Sequence, residues 1–229
     1  MRIGFDAKRA FKNTAGLGNF SRSTIAALAN YYPDDRFFLF HPGKAKSALF
    51  SAPELTTVIR PKGFWWKIFR NAWRSFRVAG IAKNLKIDVY HGLSHELPQG
   101  IEKTSIKTIV TIHDLIYVRY PHLYQKADQI IYDFKFRNAC EVATRIHAIS
   151  EQTKIDLISF FHVPEKKIKV IYQAINPLFF EELTEDQKMP VLKKYKLPKK
   201  FLLSVGTIEQ RKNMVGLLEG MLMKKINIP

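Results

Sequence analysis

The chain has a single cysteine, Cys140, among its 229 residues, so no internal disulfide can form. This usage fits a reducing compartment. We predict a cytoplasmic protein in which Cys140 is a small core residue rather than a nucleophile. No apolar run approaches the roughly 18 residues that a membrane-spanning helix needs, and the first six residues become charged too soon to form a signal peptide.

Acidic residues are also scarce. The chain has 20 Asp and Glu against 37 Lys and Arg, which gives a net charge of +17. A field of this sign favours nucleic acid, anionic lipid or phosphorylated substrates, and charge alone does not choose among them. Because 46% of the residues are hydrophobic, the chain can bury a core as one large domain, or as one domain plus a fragment.

Metal ligands and paired carboxylates are missing as well. His91, His95 and Glu96 have the residue types of a zinc site, but Gly92 and Pro98 indicate a loop rather than the helix that this spacing requires. No pair of carboxylates stands out as suited to two-carboxylate glycoside hydrolysis. We therefore predict neither a metal site nor a cofactor.

Seven short apolar runs predict β-strands, separated by helical patterns and turns. The predicted strands span residues 2–6, 36–41, 56–60, 88–92, 107–112, 144–149 and 169–172. Helices are predicted over residues 128–142 and 154–161, with Ser150 as the N-cap of the second. The charged, proline-containing stretch 176–190 indicates a linker.

The segment 64–80 is predicted to be one amphipathic helix that contains all three tryptophans. At 100° per residue, Trp65, Trp66 and Trp73 fall on one face with other apolar side chains. The opposite face carries the cations Lys67, Arg70, Arg74 and Arg77. This pattern is typical of a helix that lies in a membrane interface against anionic lipid. The alternative is a helix that packs its aromatic face on the sheet of its own domain, and the pattern leaves both open.

Two basic residues follow another apolar run near the end of the chain. Residues 201–205 and Gly206 precede a helical pattern that starts at Met214, which predicts a buried strand, a turn and a helix. Arg211 and Lys212 would then lie at a helix N-terminus, where cations and unpaired N–H groups suit a phosphate or diphosphate. The alternative is a solvated basic loop.

Two further candidates follow predicted strands. Gly16 and Gly18 form a turn before a helix, where glycines let the backbone approach a ligand and direct N–H groups at an anion, although a plain tight turn is the alternative. His113 and Asp114 directly follow the strand at 107–112, the edge at which α/β enzymes place ligand contacts.

These motifs resemble, in register, those of family 4 retaining glycosyltransferases of the GT-B fold. The resembling segments are VGTIEQRKN at 205–213, the glycine turn at 15–21, the stretch from His113 to Pro121, and Ser150 with Glu151. The resemblance implies an α/β fold with a Rossmann-like parallel sheet flanked by helices. It implies an N-terminal domain over residues 1–180, then a linker and the first βα unit of an incomplete, second Rossmann-like domain over residues 181–229.

The resemblance also assigns donor contacts. In that family the adjacent arginine and lysine grip the diphosphate of a nucleotide-sugar donor, and this role carries over to Arg211 and Lys212. The family's glycine turn faces the donor phosphates and the acceptor across the cleft. Gly16 and Gly18 are therefore expected to be donor diphosphate contacts.

The remaining site residues are expected in the first domain. The resemblance implies that His113 borders the donor sugar and the acceptor hydroxyl, with Asp114 as its orienting partner, and we take both as the catalytic candidates. His91 and Glu96 would lie on the acceptor side of the cleft. Glu151 would face the cleft from the start of its helix.

The implied reaction is the transfer of a sugar, with retention, from a nucleotide diphosphate sugar to a glycan or lipid-linked acceptor in cell-surface polysaccharide or glycolipid synthesis. The departing phosphate would act as the base. The protein would be a hexosyltransferase on the inner face of the cytoplasmic membrane, held through residues 64–80, with no nucleic acid partner. The family's paired-glutamate motif is absent, so we expect this chain to be an inactive, truncated form.

Two other classes compete with this interpretation. A noncatalytic basic module that binds a membrane surface or RNA would explain the charge but would leave Gly16, His113 and Arg211 without a role. A nicotinamide-dependent oxidoreductase needs a third glycine in the first turn, and the sequence lacks it at that spacing.

Overall fold

The computed structural model describes residues 1–43, 49–175, 177–198 and 200–224. It divides into two compact units, Met1–Ala174 and Ile175–Pro229. The first unit is built on a seven-stranded sheet in which every paired strand is parallel. Its strands are β1 (Arg2–Asp6), β2 (Arg36–Phe40), β3 (Thr56–Ile59), β4 (Val89–Gly92), β5 (Lys107–Ile112), β6 (Arg145–Ala148) and β7 (Ile168–Val170).

The strand order is β3-β2-β1-β4-β5-β6-β7. Successive strands are therefore added toward one side of the sheet from β1 to β3 and toward the other side from β4 to β7. The strand order reverses between β1 and β4. In open parallel sheets, this switch point opens a crevice at the carboxyl ends of the strands, where ligands bind. The predicted α/β fold with a Rossmann-like parallel sheet is confirmed.

Helices make the crossovers between β1 and β2, β3 and β4, β5 and β6, and β6 and β7. In the first unit they are α1 (Lys8–Lys12), α2 (Gly16–Tyr31), α3 (Phe64–Ile68), α4 (Arg70–Phe76), α5 (Val78–Asn84), α6 (Ile116–Arg119), α7 (Lys126–Val142) and α8 (Glu151–Phe161). Short 3₁₀ turns span Ile101–Lys103, Pro121–Leu123 and Glu165–Lys167. The second unit contains the turns Pro177–Phe180 and Gln210–Lys212 and the helices α9 (Glu185–Lys194) and α10 (Met214–Met223).

The sheet has a hydrophobic core on each face. Consecutive side chains of β2 alternate between the two cores, with Phe37 and Leu39 in one and Phe38 and Phe40 in the other. Since successive strand residues point to opposite faces, both faces of the sheet are covered. This explains why the run at 37–40 is apolar throughout rather than alternating.

Local signals place several elements correctly. Ser150 caps α8 by accepting a hydrogen bond from the Thr153 N–H at 3.1 Å. Cys140 is buried in the core, as predicted. On α7 the buried side chains are Phe136, Ala139 and Cys140, whereas Phe134 is exposed.

The prediction of one continuous helix over 64–80 is wrong. The segment forms α3, α4 and α5, which are separated at Phe69 (φ −87°, ψ 55°) and at Arg77. These interruptions let the segment change the side that it turns to the sheet. Trp73 is therefore 2% exposed in the core while Trp65 is 68% exposed. No helix in the described part of the chain is long and apolar enough to cross a membrane.

The predicted strand at 201–205 is also wrong, because the described residues of the second unit form no strand. Val205 is 87% exposed. An apolar run becomes a strand only when a neighbouring strand pairs with its backbone, and the described residues supply no such strand beside it. The predicted linker differs too, since α9 begins inside it. Thr184 and Gln187 form a capping box that starts this helix.

Candidate functional site

The carboxyl ends of the central strands bring polar side chains to one edge of the sheet. Asp6 ends β1, His91 lies in β4, and His113 directly follows β5. Glu151 begins α8 after β6 and is exposed. The structure therefore brings His91, His113 and Glu151 to the carboxyl edge of the sheet, although they come from distant parts of the sequence.

His113 is buried and held by both ring nitrogens. Its Nε2 lies 3.0 Å from the Leu93 carbonyl oxygen, and its Nδ1 lies 3.0 Å from the Gln173 Nε2. A carbonyl oxygen only accepts, so Nε2 carries the hydrogen and the neutral ring has its lone pair at Nδ1, where the Gln173 amide donates. The Phe20 ring also packs against the imidazole nearly perpendicular to it, at 4.8 Å between centroids.

Burial lowers the pKa of His113, and the positive charge of Arg9 lowers it further. The hydrogen bond to Leu93 and the charge of Asp114 raise the pKa but do not offset the burial. The ring is therefore a neutral hydrogen-bond acceptor near neutral pH. Asp114 contributes charge, and its Oδ1 accepts the N–H of Ile116, the first residue of α6, at 3.2 Å. Leu93 and Gln173 orient the ring, and the sequence patterns had not singled out Gln173.

A second histidine packs beside His113. The ring of His95 lies 5.1 Å from that of His113 and stacks on Phe136 at 4.3 Å. Its Nδ1 is buried without a hydrogen-bond partner in the described part of the chain. Burial, followed by the neighbouring His113, lowers the pKa of His95 well below its usual value.

His91 is buried on the same edge. Its Nε2 lies 2.8 Å from the Thr111 Oγ1, and its ring lies 5.4 Å from that of His147. Burial lowers the pKa of His91 to about 3, and burial also lowers the pKa of His147. The predicted acceptor-side histidine is therefore a neutral, packed side chain. Among the described residues, no group of three or more His, Cys, Asp or Glu side chains is arranged to hold a metal ion.

Arg74 lies in a buried ion-pair network, although the helical pattern predicted it on the exposed face. The pattern put Arg74 on the solvated cationic face, but it is 8% exposed and forms ion pairs with Asp6 and Glu96. Its Nε donates to the Asp6 Oδ2 at 2.9 Å, and Lys135 Nζ lies 3.3 Å from Glu96 Oε1. Glu96, expected on the acceptor side, thus links Arg74 to Lys135.

The charges in this network shift one another's protonation. Burial alone would raise the pKa of Asp6, but the charge and hydrogen bonds of Arg74 lower it. Burial would lower the pKa of Arg74, but Asp6 and Glu96 raise it. Both groups are therefore ionised, and the pair fixes α4 to the carboxyl end of β1.

The glycine turn lies at the start of α2. The Gly18 N–H is near two acceptors, the Ala15 carbonyl oxygen at 2.9 Å and the Asn13 Oδ1 at 3.1 Å. A Cβ on Gly18 would come within 1.9 Å of the Asn13 carbonyl oxygen, whereas one on Gly16 would meet open space. Close packing therefore explains the glycine at 18, and Gly16 is the freer of the two for a ligand.

Arg211 and Lys212 lie in the second unit, in the 3₁₀ turn that precedes α10. Both are exposed, and Arg211 Nε donates to Glu209 Oε2 at 2.5 Å. Thr207 Oγ1 also donates to Glu209, at 2.7 Å. The basic pair therefore precedes a helix as predicted, but in a turn rather than in the first turn of the α-helix.

Solved structures share this architecture. Over 97% of the chain, the structure is similar to sucrose-phosphate synthase from Thermosynechococcus elongatus, with a TM-score of 0.69, 14% identity and 60% of that chain covered. The glycosyltransferase WaaG gives a TM-score of 0.64 at 14% identity, over 96% of this chain and 59% of that one. Anabaena Alr3699/HepE, solved with UDP and glucose, gives 0.63 at 13% identity, over 97% and 57%. These likenesses show the GT-B fold.

Sequence comparison places the chain in a family. It is 25% identical over 232 residues to the O-antigen chain mannosyltransferase B of Escherichia coli, an alignment that covers 96% of this chain and 59% of that protein. The chain thus spans about six-tenths of the length of this relative. Residues 22–178 match the family described as Glycosyltransferase Family 4. Together with the parallel sheet, this match shows that the chain belongs to glycosyltransferase family 4.

Proposed function

We propose that this protein is a retaining hexosyltransferase that moves a sugar from a nucleotide diphosphate sugar to a glycan or lipid-linked acceptor in cell-surface polysaccharide or glycolipid synthesis. The observation that carries the proposal is His113, a neutral, oriented hydrogen-bond acceptor at the switch-point edge of a family 4 chain. The E. coli relative, named as a mannosyltransferase of the O-antigen chain, and the HepE structure with UDP and glucose support these substrate classes.

In this proposal His113 positions a substrate rather than attacking it. Leu93 holds the Nε2–H, so Nδ1 is the atom that can accept a hydrogen bond from a sugar hydroxyl in place of the Gln173 amide. Asp114 holds the start of α6 beside the ring. Glu151, exposed at the start of α8, is proposed to contact the acceptor.

The leaving group is the nucleoside diphosphate, on which negative charge develops as the glycosidic bond breaks. Arg211 and Lys212 are proposed to stabilise that charge as donors of charge-assisted hydrogen bonds. Gly16, where a side chain is absent and space is open, is proposed to let the diphosphate approach the backbone. The acceptor oxygen bonds to the anomeric carbon on the face from which the diphosphate leaves, and the departing phosphate oxygen takes the proton of that hydroxyl, so no residue of the chain is needed as a general base.

A membrane surface is the proposed location of the acceptor. The aromatic patch, defined here as Phe64, Trp65, Ile68, Phe69 and Phe76, is exposed on α3, α4 and the residue between them. Trp66 is half-buried beneath Arg77, whose guanidinium carbon lies 5.7 Å from the ring centroid. The core thus takes one side of the segment and leaves the other exposed, and this exposed side supports the proposal. We place the protein on the inner face of the cytoplasmic membrane.

The proposed function is tested in a chimera in which the C-terminal remainder of the mannosyltransferase follows this chain, because the chain covers 59% of that relative. We expect the chimera to transfer sugar from a nucleotide diphosphate sugar. NMR of the product should show the same anomeric configuration as in the donor. His113→Ala should reduce kcat/KM at least about a hundredfold. Arg145→Gln, an exposed residue at the amino edge of the sheet, is the matched control. Transfer unaffected by His113→Ala would contradict the role of this residue.

A further inference from the structure

Positive charge is concentrated in one part of the chain. Between Asp6 and Asp88, residues 7–87 contain 15 Lys and Arg but only three acidic residues, Asp34, Asp35 and Glu54. The surplus of 12 charges in this stretch accounts for most of the net charge of +17. Local carboxylates cannot neutralise a surplus of this size, so some of these cations are available to an external anion.

Three of these cations converge at the carboxyl edge of the sheet. Lys12 Nζ and Arg70 Nη1 lie 3.0 Å and 3.4 Å from the point that a Cβ on Gly43 would occupy, so both reach the same small volume. Lys8 is one helical turn from Lys12 on α1, and its Nζ lies 3.3 Å from the Asn71 Oδ1, next to Arg70. Helix α1 and the first turn of α4 thus present cations to one another across Gly43, directly after β1 and β2.

In the part of the chain that the structure describes, no ion pair neutralises this group. Among the ion pairs of the described residues, none includes Lys8, Lys12 or Arg70. The nearest acids, Asp6 and Glu96, are already engaged by Arg74. Burial and then the charge of Arg74 lower the pKa of Lys8 against the opposing charges of Glu96 and Asp6, so a bound anion would favour the charged form of Lys8.

The aromatic residues next to these cations indicate which class of anion would bind. Arg70 directly follows Phe69, and Trp65 stacks on Phe69 at 6.3 Å between ring centroids. The cations therefore border the aromatic patch. A ligand that fits both parts has a compact, doubly charged head and an apolar chain, because guanidinium and ammonium groups suit phosphate oxygens while indole and phenyl rings suit the membrane interface.

We propose that Lys8, Lys12 and Arg70 bind the phosphate or diphosphate group of a lipid, and that this group carries the acceptor sugar. The second half of this statement rests on the proposed function, whereas binding of the phosphate lipid does not. Lys12 and Arg70 are exposed and reach the head group from the membrane side. Lys8 is half-buried and is the third cation of the site, and its Nζ donates to the Asn71 amide oxygen.

The direct test is vesicle binding by the 229-residue chain. One set of phosphatidylcholine vesicles contains polyprenyl phosphate, and the other contains phosphatidylglycerol at a matched surface charge. We expect tighter binding to the polyprenyl phosphate vesicles. Lys12→Gln combined with Arg70→Gln should weaken that binding about thirtyfold. Lys83→Gln combined with Lys103→Gln removes the same charge at the amino edge of the sheet and should leave binding unchanged.

Three results would overturn the proposal. The first is equal binding of wild type to the two kinds of vesicle, and the second is an equal loss in both double variants, since either indicates nonspecific attraction. The third is soluble pyrophosphate that binds the chain as tightly as the vesicles do, because the lipid would then not belong to the site. Unchanged circular dichroism and melting of both double variants establish that the exposed substitutions do not unfold the chain.

The same variants separate this inference from the proposed function. In the chimera, the Lys12 and Arg70 double variant should raise KM for a polyprenyl-phosphate-linked acceptor and leave KM for a lipid-free glycan unchanged. Phosphate-lipid binding by a chimera that transfers no sugar would contradict the proposed function alone. Transfer that is indifferent to the acceptor phosphate would contradict this inference alone.

Discussion

At the scale of single residues, His113 shows how two contacts fix the chemistry of a side chain. The Leu93 carbonyl oxygen requires a hydrogen on Nε2, and the Gln173 amide occupies the lone pair of Nδ1. A neutral imidazole held in this way cannot take part as a base through Nε2. In the proposed function its useful atom is Nδ1, which would accept a hydrogen bond from a substrate hydroxyl that displaces the amide.

Nitrogen NMR of histidine-labelled protein tests this arrangement. We expect His113 to show the Nε2–H tautomer in the wild type. Gln173→Leu should keep that tautomer, because Leu93 is untouched, but should raise the pKa of His113, because no donor then opposes protonation at Nδ1. Gln152→Leu, on α8, is the control and should leave the His113 titration unchanged. An Nδ1–H tautomer in the wild type would contradict the assignment.

The buried histidines also predict acid lability. The pKa of His91 is about 3 in the folded protein against 6.5 without the fold, because burial disfavours the charged ring. Between these values the unfolded chain binds a proton that the folded one does not. The contribution of His91 to the unfolding free energy is therefore at its maximum above pH 6.5. It is lost progressively as the pH falls toward 3.

Denaturation midpoints measured across this pH range give the test. The unfolding free energy should fall by about 1.4 kcal/mol per pH unit for each such histidine. His91→Gln should make the slope shallower whatever it does to the absolute stability. His122→Gln, at an exposed position, should leave the slope as it is. A slope that is the same in the wild type and in His91→Gln would argue against the buried neutral state.

At the scale of elements, Arg74 changes the interpretation of the segment 64–80. The cation is the link between α4 and β1, through Asp6, rather than a contact for lipid. Replacing one partner of a buried pair leaves the other charged and unpaired. We expect Arg74→Gln to lower the unfolding free energy by about 3–5 kcal/mol in urea titrations.

Arg77→Gln is the matched control, since Arg77 is exposed and lies over the Trp66 ring. It should cost less than about 1 kcal/mol. Equal, small losses in the two variants would show that the Arg74 ion pair does not hold α4 to the sheet.

The aromatic patch makes a separate prediction at this scale. In vesicle flotation with anionic and with neutral lipid, we expect the chain to bind the anionic vesicles and to lose that binding at high salt. Trp65→Ser with Phe69→Ser should reduce binding and remove the blue shift of tryptophan fluorescence. Ile130→Ser with Phe134→Ser, which removes exposed apolar side chains from α7 instead, is the control and should bind like the wild type. Equal loss in both variants would remove the membrane role from the patch.

At the scale of the whole molecule, the two units differ in what they can hold. The first unit has a seven-stranded sheet and a formed ligand edge, whereas the described part of the second unit has no strand to place Arg211 and Lys212 at a sheet edge. We therefore expect calorimetry of the 229-residue chain to show no micromolar affinity for UDP or GDP sugars. In the chimera, Arg211→Ala should weaken turnover by roughly 2–5 kcal/mol in transition-state terms. Micromolar binding by the chain alone would contradict this expectation.

Much of the first unit was predictable because its signals are local. An apolar run bounded by turn residues becomes a strand wherever neighbours exist to pair with it, and β1 and β5 have the predicted limits, Arg2–Asp6 and Lys107–Ile112. Ser150 caps α8 through a bond to Thr153, only three residues away. His113 was a candidate by similar logic, because parallel strands end at one edge of the sheet, whereas His91 was a candidate through the family resemblance.

The sequence by itself therefore determined the order and type of most elements in the first unit and the edge at which polar residues meet. Only the tertiary structure decided the fate of individual charges and rings. Arg74 is buried because Asp6, 68 residues away, ends the adjoining strand, and His113 is oriented by Gln173, 60 residues away. Helical periodicity describes which residues share a face, but burial and protonation depend on partners that the chain brings together only when it folds.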